Sequence, residues 1–338
     1  MKILVTGGLG FIGSHTVVEL QNEGYEVVII DDCSNSSENV LEGIESITGK
    51  IPLFEKIDLK KKNEVESFFK KYKDVQGVIH FAASKAVGES VEEPLMYYEN
   101  NLCSLIYLLQ ELKKKNKGNF IYSSSRTVYG DLGGKPMSED MPLKRPESPY
   151  GNTKKIGEEI LEDTCRVNKD ISVISLRYFN PTGAHPSSKI GELPLGVPQN
   201  LVPFVTQTAL GMRDELKVFG GDWPTKDGTC VRDYIHVVDL AKAHVIAVKR
   251  LLENKNVENY EFFNLGTGNG NTVLEVIESF ERVSGKKLNY NIVDRRAGDD
   301  AVAYADTTKA NEILGWKAES SLDDAIKSAW DWEQKIRS

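Results

Sequence analysis

In the segment Tyr150-Gly-Asn-Thr-Lys154 a phenol and an ammonium stand four residues apart. On a helix, positions i and i+4 share a face one turn apart, so the two groups point the same way. A free tyrosine, with a pKa near ~10, is a poor base at neutral pH, and lowering it by about three units takes roughly 4 kcal/mol. One cation at ~4 Å and an effective dielectric of about 20 supplies energy of that order. The pair is therefore a candidate proton acceptor. Tyr and Lys four apart also occur on ordinary exposed helices, so what the chain places beside them decides the reading.

The first such element is at the amino terminus. Lys2–Thr6 reads as a short buried strand, continuous and rich in branched residues. Gly7-Gly-Leu-Gly10-Phe-Ile-Gly13 follows at once, and residues 14–23 have helical spacing. A strand, a glycine turn and a helix let bare backbone approach a pyrophosphate at a helix N-terminus. The next strand, 26–30, ends in Asp31, 18 residues beyond Gly13. That is close to the ~20 expected for a carboxylate on an adenosine ribose, and a carboxylate there repels a 2′-phosphate, which favours NAD over NADP.

Strand and helix patterns then alternate: strand 52–55, helix 62–72, strand 77–81, a long helix 96–114, strand 119–123, a helix from Tyr150, and strand 172–176. This predicts a doubly wound parallel α/β sheet of Rossmann type. Ligands of such sheets lie beyond the carboxyl ends of the strands. That rule puts Gly7–Gly13, Asp31, Asp58, Phe81–Lys85 and Ser123–Ser125 on one rim. Later the alternation loosens: a Pro/Gly-rich loop at 183–198, helix 200–211, strand 217–219, helix 240–252 and a strand at 262–265 returning to the sheet. The expected organisation is a dinucleotide domain over 1–180 with about 234–265, and a smaller α/β substrate lobe over 181–233 and 266–338.

The 338 residues carry a net charge of −8, which argues against a nucleic-acid partner needing a basic face. No stretch reaches the ~18 apolar residues of a membrane helix, and the apolar run at the start is too short for a signal peptide. Cys33, Cys103, Cys165 and Cys230 form no C-x-x-C pair, so reduced thiols in a cytoplasmic protein are expected. The five histidines have no metal-ligand spacing, and no metal is expected.

Several segments together resemble the extended short-chain dehydrogenase/reductases, most closely the UDP-glucose (UDP-galactose) 4-epimerases. They are Thr6-Gly-Gly-Leu-Gly-Phe-Ile-Gly13, Ile79-His-Phe-Ala, Lys85-Ala-Val-Gly-Glu-Ser, Ser123-Ser-Ser-Arg-Thr-Val-Tyr-Gly130 and Ser148-Pro-Tyr150-Gly-Asn-Thr-Lys154. Leu176-Arg-Tyr-Phe-Asn-Pro181, Val231-Arg-Asp-Tyr-Ile-His-Val, Phe263-Asn-Leu-Gly and Arg295-Arg-Ala-Gly-Asp299 extend the likeness nearly end to end. The resemblance implies tightly held NAD and a UDP-hexose substrate. Hydride would leave C4 while Tyr150, as phenolate, takes the 4-hydroxyl proton. Ser125 would bond the 4-oxygen, and Lys154 would hold the nicotinamide ribose. It assigns the cofactor to Gly7, Gly10, Phe11, Ile12, Gly13, Asp31, Asp32, Asn35, Ser36, Asp58, Leu59, Phe81, Ala82, Lys85, Asn100 and Phe179, besides Tyr150 and Lys154. The nucleotide-sugar side would be Asn180, Asn200, Leu201, Lys217, Phe219, Arg232, Arg296 and Asp299, besides Ser125. A homodimer pairing the helices near 96–114 and 150–162 is also implied.

Two rivals stay open on the sequence. A nucleotide-sugar 4,6-dehydratase shares the fold, but its relatives carry Asp-Glu just before Val-Tyr-Gly, where this chain has Arg126 and Thr127. A non-catalytic dinucleotide sensor has no need of Ser125, Tyr150 and Lys154 together. Arg126 also replaces a small residue after the serine triplet, and Ala297 stands where Glu is usual. Ala303 falls where narrow-specificity relatives carry tyrosine, which implies room for a 2-acetamido group and turnover of UDP-GlcNAc and UDP-GalNAc as well.

Overall fold

The computed structural model describes residues 1–115, 118–130, 134–296 and 299–338; Ala297, singled out above, lies outside them. The main sheet has seven strands: β1 (Lys2–Thr6), β2 (Glu26–Asp31), β3 (Leu53–Lys56), β4 (Val75–His80), β5 (Gly118–Ser125), β6 (Ile171–Tyr178) and β7 (Tyr260–Leu265). Their order is β7-β6-β5-β4-β1-β2-β3, and every pairing is parallel. All carboxyl ends therefore share one edge, as the sequence predicted.

Both faces of the sheet are covered, which is why its strands read as continuous apolar runs. Along β1, Ile3 and Val5 enter one core cluster with Val17, Leu240 and Val248, while Leu4 enters the other with Phe68, Leu108 and Leu161. The helix Phe11–Asn22 packs on one face beside Val237–Leu252. A third cluster, holding Val205, Val218, Phe280 and Trp330, builds the region beyond the sheet. Small strands there set the sugar-side candidates: Leu216–Phe219 pairs with Tyr290–Val293, and Val231–Arg232 pairs with Asn271–Thr272 and Val302–Ala303.

The structure departs from the expected helix over 96–114. Pro94–Tyr98 and Ser104–Lys114 are α-helical, but Glu99–Cys103 between them is a π-turn. Such turns insert one residue into the helical ladder, often at functional sites. A helix at Val40–Thr48, not anticipated, also covers the sheet. β5 and β6 run further than expected because their polar ends, Ser124, Ser125, Arg177 and Tyr178, are buried rather than exposed.

Candidate active site

The helix Pro149–Val167 delivers the phenol and the ammonium. Ser148 caps it by accepting from Gly151 N at 3.2 Å, and Pro149 opens it without needing an N–H partner. The helix lies close on the sheet at Gly157, where a Cβ would come within 2.3 Å of the Tyr122 hydroxyl. That approach buries Lys154 to 4% exposure, with Nζ donating to Ser123 O at 2.6 Å. Tyr150 stays half-buried one turn earlier, its ring centre 6.0 Å from Lys154 Nζ. Ser125, at the end of β5, lies against the phenol, and its Oγ accepts from Thr127 N at 3.3 Å.

The sequence argument counted on positive charge to pull the phenol down; burial works in the opposite direction. Burial pushes Tyr150 up to about 12, opposed only by the Ser125 hydroxyl. Burial pushes Lys154 down to about 7, opposed by the Glu158 carboxylate. The two groups share one helix face, with the phenol ring centre 6.0 Å from Lys154 Nζ. Loss of the Lys154 proton near neutrality leaves an amine beside the phenol, able to take the phenol's proton as the phenol accepts one from a substrate hydroxyl.

Glu158 is a contributor that sequence reasoning missed. It continues the row Tyr150, Lys154, Glu158 one turn on, and it is 3% exposed. Its Oε1 accepts from Ser124 Oγ at 2.5 Å and from Arg177 Nε at 2.9 Å, while Oε2 accepts from Arg177 Nη2 at 2.5 Å. Arg177 Nη1 donates to the Tyr129 hydroxyl at 2.9 Å, which donates to Asn264 Oδ1 at 2.8 Å. The four-residue spacing was visible in the sequence, but Arg177 on β6 could not be matched to it.

On the cofactor side the glycine turn fits a dinucleotide. Gly7 has φ +68°, and a Cβ there would meet Ala82 N at 2.8 Å; one on Gly13 would meet Gly7 O at 2.2 Å. Gly10 opens the helix Phe11–Asn22 with no side-chain cap, so its first amides are left for an anion. Asp31 is 8% exposed and held by Leu9 N at 3.1 Å, Cys33 N at 3.0 Å and Ser36 Oγ at 2.8 Å. Asp32 and Asn35 are exposed beyond it, Phe11 and Ile12 are half-buried, and Leu59 is buried after Asp58. Phe81 packs on His244 with ring centres 4.7 Å apart, and Ala82 N lies 3.5 Å from Thr6 Oγ1. Asn100 sits in the π-turn and donates to Ser84 Oγ at 3.0 Å. Its neighbour Asn101, also missed, donates to Ser84 O and Thr153 Oγ1, both at 3.0 Å, tying the loop after β4 to the helix of Tyr150.

Several sugar-side candidates converge on charged groups. Arg232 is 8% exposed; Nη1 donates to Asp300 O at 2.8 Å and Nη2 faces Asp299 Oδ1 at 3.5 Å. Arg296 grips Asp299 at 3.1 and 2.9 Å and lies 5.4 Å from the Phe219 ring centre. Lys85 and Asn200, predicted on opposite sides of the site, both meet Glu192, at 3.7 and 2.6 Å. Asn180 keeps a buried Oδ1 without a hydrogen-bond partner, as does Thr127 Oγ1, which suits a polar ligand. Leu201 is half-buried at the start of the helix Leu201–Ala209, and Phe179 is buried beside Asn180. Lys217 is exposed on its strand and makes no ion pair with a described residue. Ala303 is fully buried among Val128, Tyr129, Met137, Phe179 and Ala305, so it forms part of a wall and lines no open space.

A glycine cradle, a ribose-side carboxylate and a Ser–Tyr–Lys set on the rim of a parallel sheet define a short-chain dehydrogenase/reductase. The family model described as GDP-mannose 4,6 dehydratase matches residues 4–329. The UDP-glucose 4-epimerase of Bacillus subtilis (strain 168) is 50% identical over 333 residues, 98% of this chain and 97% of that one. A Stenotrophomonas maltophila UDP-glucose 4-epimerase with bound NAD and formylated UDP-arabinopyranose superposes with a TM-score of 0.96 at 43% identity, covering 100% of this chain and 99% of that one. The Bifidobacterium longum enzyme in complex with NAD+ and UDP gives 0.94 at 45% identity, covering 100% and 99%. The chain belongs to the UDP-glucose 4-epimerase family.

Proposed function

We propose that this protein interconverts UDP-glucose and UDP-galactose at C4, with NAD held throughout. The observation that carries the reading is the set Ser125, Tyr150 and Lys154 on the rim that also holds the glycine cradle and Asp31. Gly7, Gly10, Gly13 and Asp31 would hold NAD, which would supply the hydride acceptor and donor for C4. Tyr150 Oη receives the 4-hydroxyl proton and later returns it, and Ser125 Oγ holds the 4-oxygen. The keto sugar would turn about its link to the diphosphate and present its opposite face to the returning hydride, while the proton goes back to the 4-oxygen. Arg232 and Arg296 suit the diphosphate, since guanidinium groups bond phosphate in a fork. Holding the sugar within reach supplies the entropic part of the barrier reduction.

A 4,6-dehydratase is disfavoured because Arg126 and Thr127 stand where it needs acids, and Glu158, the carboxylate behind Lys154, is occupied by Arg177. In this reading, residues 1–180 with 234–265 serve the cofactor, and 181–233 with 266–338 serve the sugar nucleotide. A homodimer is supported by exposed Val87, Val91 and Leu95 next to the helix of Tyr150, and a cytoplasmic setting by four free thiols. Wider use of the N-acetyl pair rests on the small Ala303, whose wall could yield to a 2-acetamido group where a tyrosine would not.

The test begins with denaturing the purified protein and assaying the nucleotide released. Tyr150→Phe should release the same NAD and lose most turnover of UDP-galactose; a variant turning over at the parent rate rejects the proposal. Ala303→Tyr should lose UDP-GlcNAc turnover while keeping the hexose reaction, and a parent inactive on UDP-GlcNAc rejects the wider range.

A further inference from the structure

Arg126 has no part in the reaction as read above, yet the structure gives it a specific partner. It opens a turn of 3-10 helix, Arg126–Tyr129, directly after Ser125. Its Nη1 donates to Asp300 Oδ2 at 2.5 Å, across 174 positions of sequence, with side chains only 19% and 13% exposed. Asp300 makes a second link: its carbonyl accepts from Arg232 Nη1 at 2.8 Å. Asp299, next to it, faces Arg232 and accepts from Arg296. One short segment is thus tied on one side to the residue after Ser125 and on the other to the arginines suited to the diphosphate.

We infer that the Arg126–Asp300 pair is a substrate-positioning strut that fixes the separation between the Ser125 hydroxyl and the Arg232 guanidinium. The inference rests on the reaction proposed above. The sugar must present C4 at Ser125 while its diphosphate is gripped at Arg232, so the distance between those points sets productive binding. A geometry error of about an ångström at a reacting centre can cost on the order of a hundredfold in rate. Three guanidiniums, of Arg126, Arg232 and Arg296, face two carboxylates, of Asp299 and Asp300, so the cluster keeps one positive charge in excess. Burial and the Arg232 charge disfavour the Arg126 cation, and Asp300 and Asp299 offset them; a bound diphosphate relieves the same repulsion. The strut therefore serves both reach and charge.

The test compares the parent, Arg126→Ala, Asp300→Asn and the exchanged pair Arg126→Asp with Asp300→Arg. Four quantities are read on folded protein: NAD content, UDP affinity, and KM and kcat for UDP-galactose. The strut predicts that either single variant loses about tenfold or more in kcat/KM while NAD content stays at the parent level. UDP affinity should change less than threefold, because Arg232, Arg296 and Asp299 remain. The exchanged pair should recover at least a third of the loss on a logarithmic scale. A purely structural contact would shift melting temperature and leave these ratios alone. Single variants within twofold of the parent kcat/KM, or an exchanged pair no better than the worse single variant, overturn the strut. A parent that does not epimerise UDP-galactose rejects the reaction instead; the strut is then judged by whether Arg126→Ala weakens UDP-galactose binding more than UDP binding, and equal weakening overturns it.

Discussion

Replacing Glu158 by Gln keeps the side-chain shape and removes one buried negative charge behind Lys154. Residues one turn apart on a helix lie about 6 Å from each other. Full charges at that distance and an effective dielectric of about 20 interact by about 3 kcal/mol. Arg177 holds the same carboxylate through three short contacts and offsets about half of this. Roughly 1.4 kcal/mol is left, equivalent to about one pH unit. The sign follows from the charges: Glu158 favours the cationic Lys154, so its loss makes Lys154 release its proton at lower pH. The parent's epimerisation rate should rise through an acid limb near 7, the value to which burial brings Lys154, and the variant's limb should lie about one unit lower. The variant's maximum should also fall, since a less cationic lysine supports the phenolate less. A separate cost falls on stability. Arg177 is left buried with a weaker partner, worth about 3 kcal/mol, a sizeable part of the 5–15 kcal/mol of a typical domain. Melting temperature reports that cost, and the pH profile at 25 °C reports the charge effect. An acid limb that stays in place or moves to higher pH in a folded variant would refute the argument.

Gly13→Ala should abolish NAD retention and lower the yield of folded protein, because its Cβ would sit 2.2 Å from Gly7 O; bound nucleotide after purification is the check. Asp31→Ser removes the acceptor of Leu9, Cys33 and Ser36, so NAD content should fall about tenfold or more while NADP is discriminated against less, read by competition between the two nucleotides. Gly157→Ala pushes the helix of Tyr150 away from Tyr122; overpacking of this kind costs about 1–3 kcal/mol, and turnover should drop further as Lys154 loses Ser123, measured by thermal melts beside kcat.

The sheet was legible because its strands are buried on both faces and so read as runs of Val, Ile and Leu. The rim was legible because one rule, that ligands lie past the carboxyl ends of parallel strands, places Gly7, Asp31, Phe81 and Ser125 together. What escaped was long-range polar pairing. Glu158 with Arg177, Glu192 with Lys85 and Asn200, and Asp300 with Arg126 each join residues whose separation leaves no periodic trace. The π-turn at Glu99–Cys103 escaped for a different reason: its residues continue a helical pattern, and only the extra residue in the ladder distinguishes it. The charge argument for Tyr150 asked for a cation on the same face, and Lys154 Nζ stands 6.0 Å from its ring centre. It was incomplete in ignoring that the site burying the cation also buries the phenol, which moves the two pKa values apart.

The central claim is that a hydride leaves C4 and a proton leaves its hydroxyl, and that both return to where they came from. The direct measurement is proton NMR of UDP-galactose incubated with the purified protein in deuterated buffer, with no nucleotide cofactor added. The account predicts conversion to UDP-glucose with the C4 hydrogen retained as protium and no water lost from the sugar. Deuterium at C4, a dehydrated product, or no conversion by protein shown to carry NAD would contradict it.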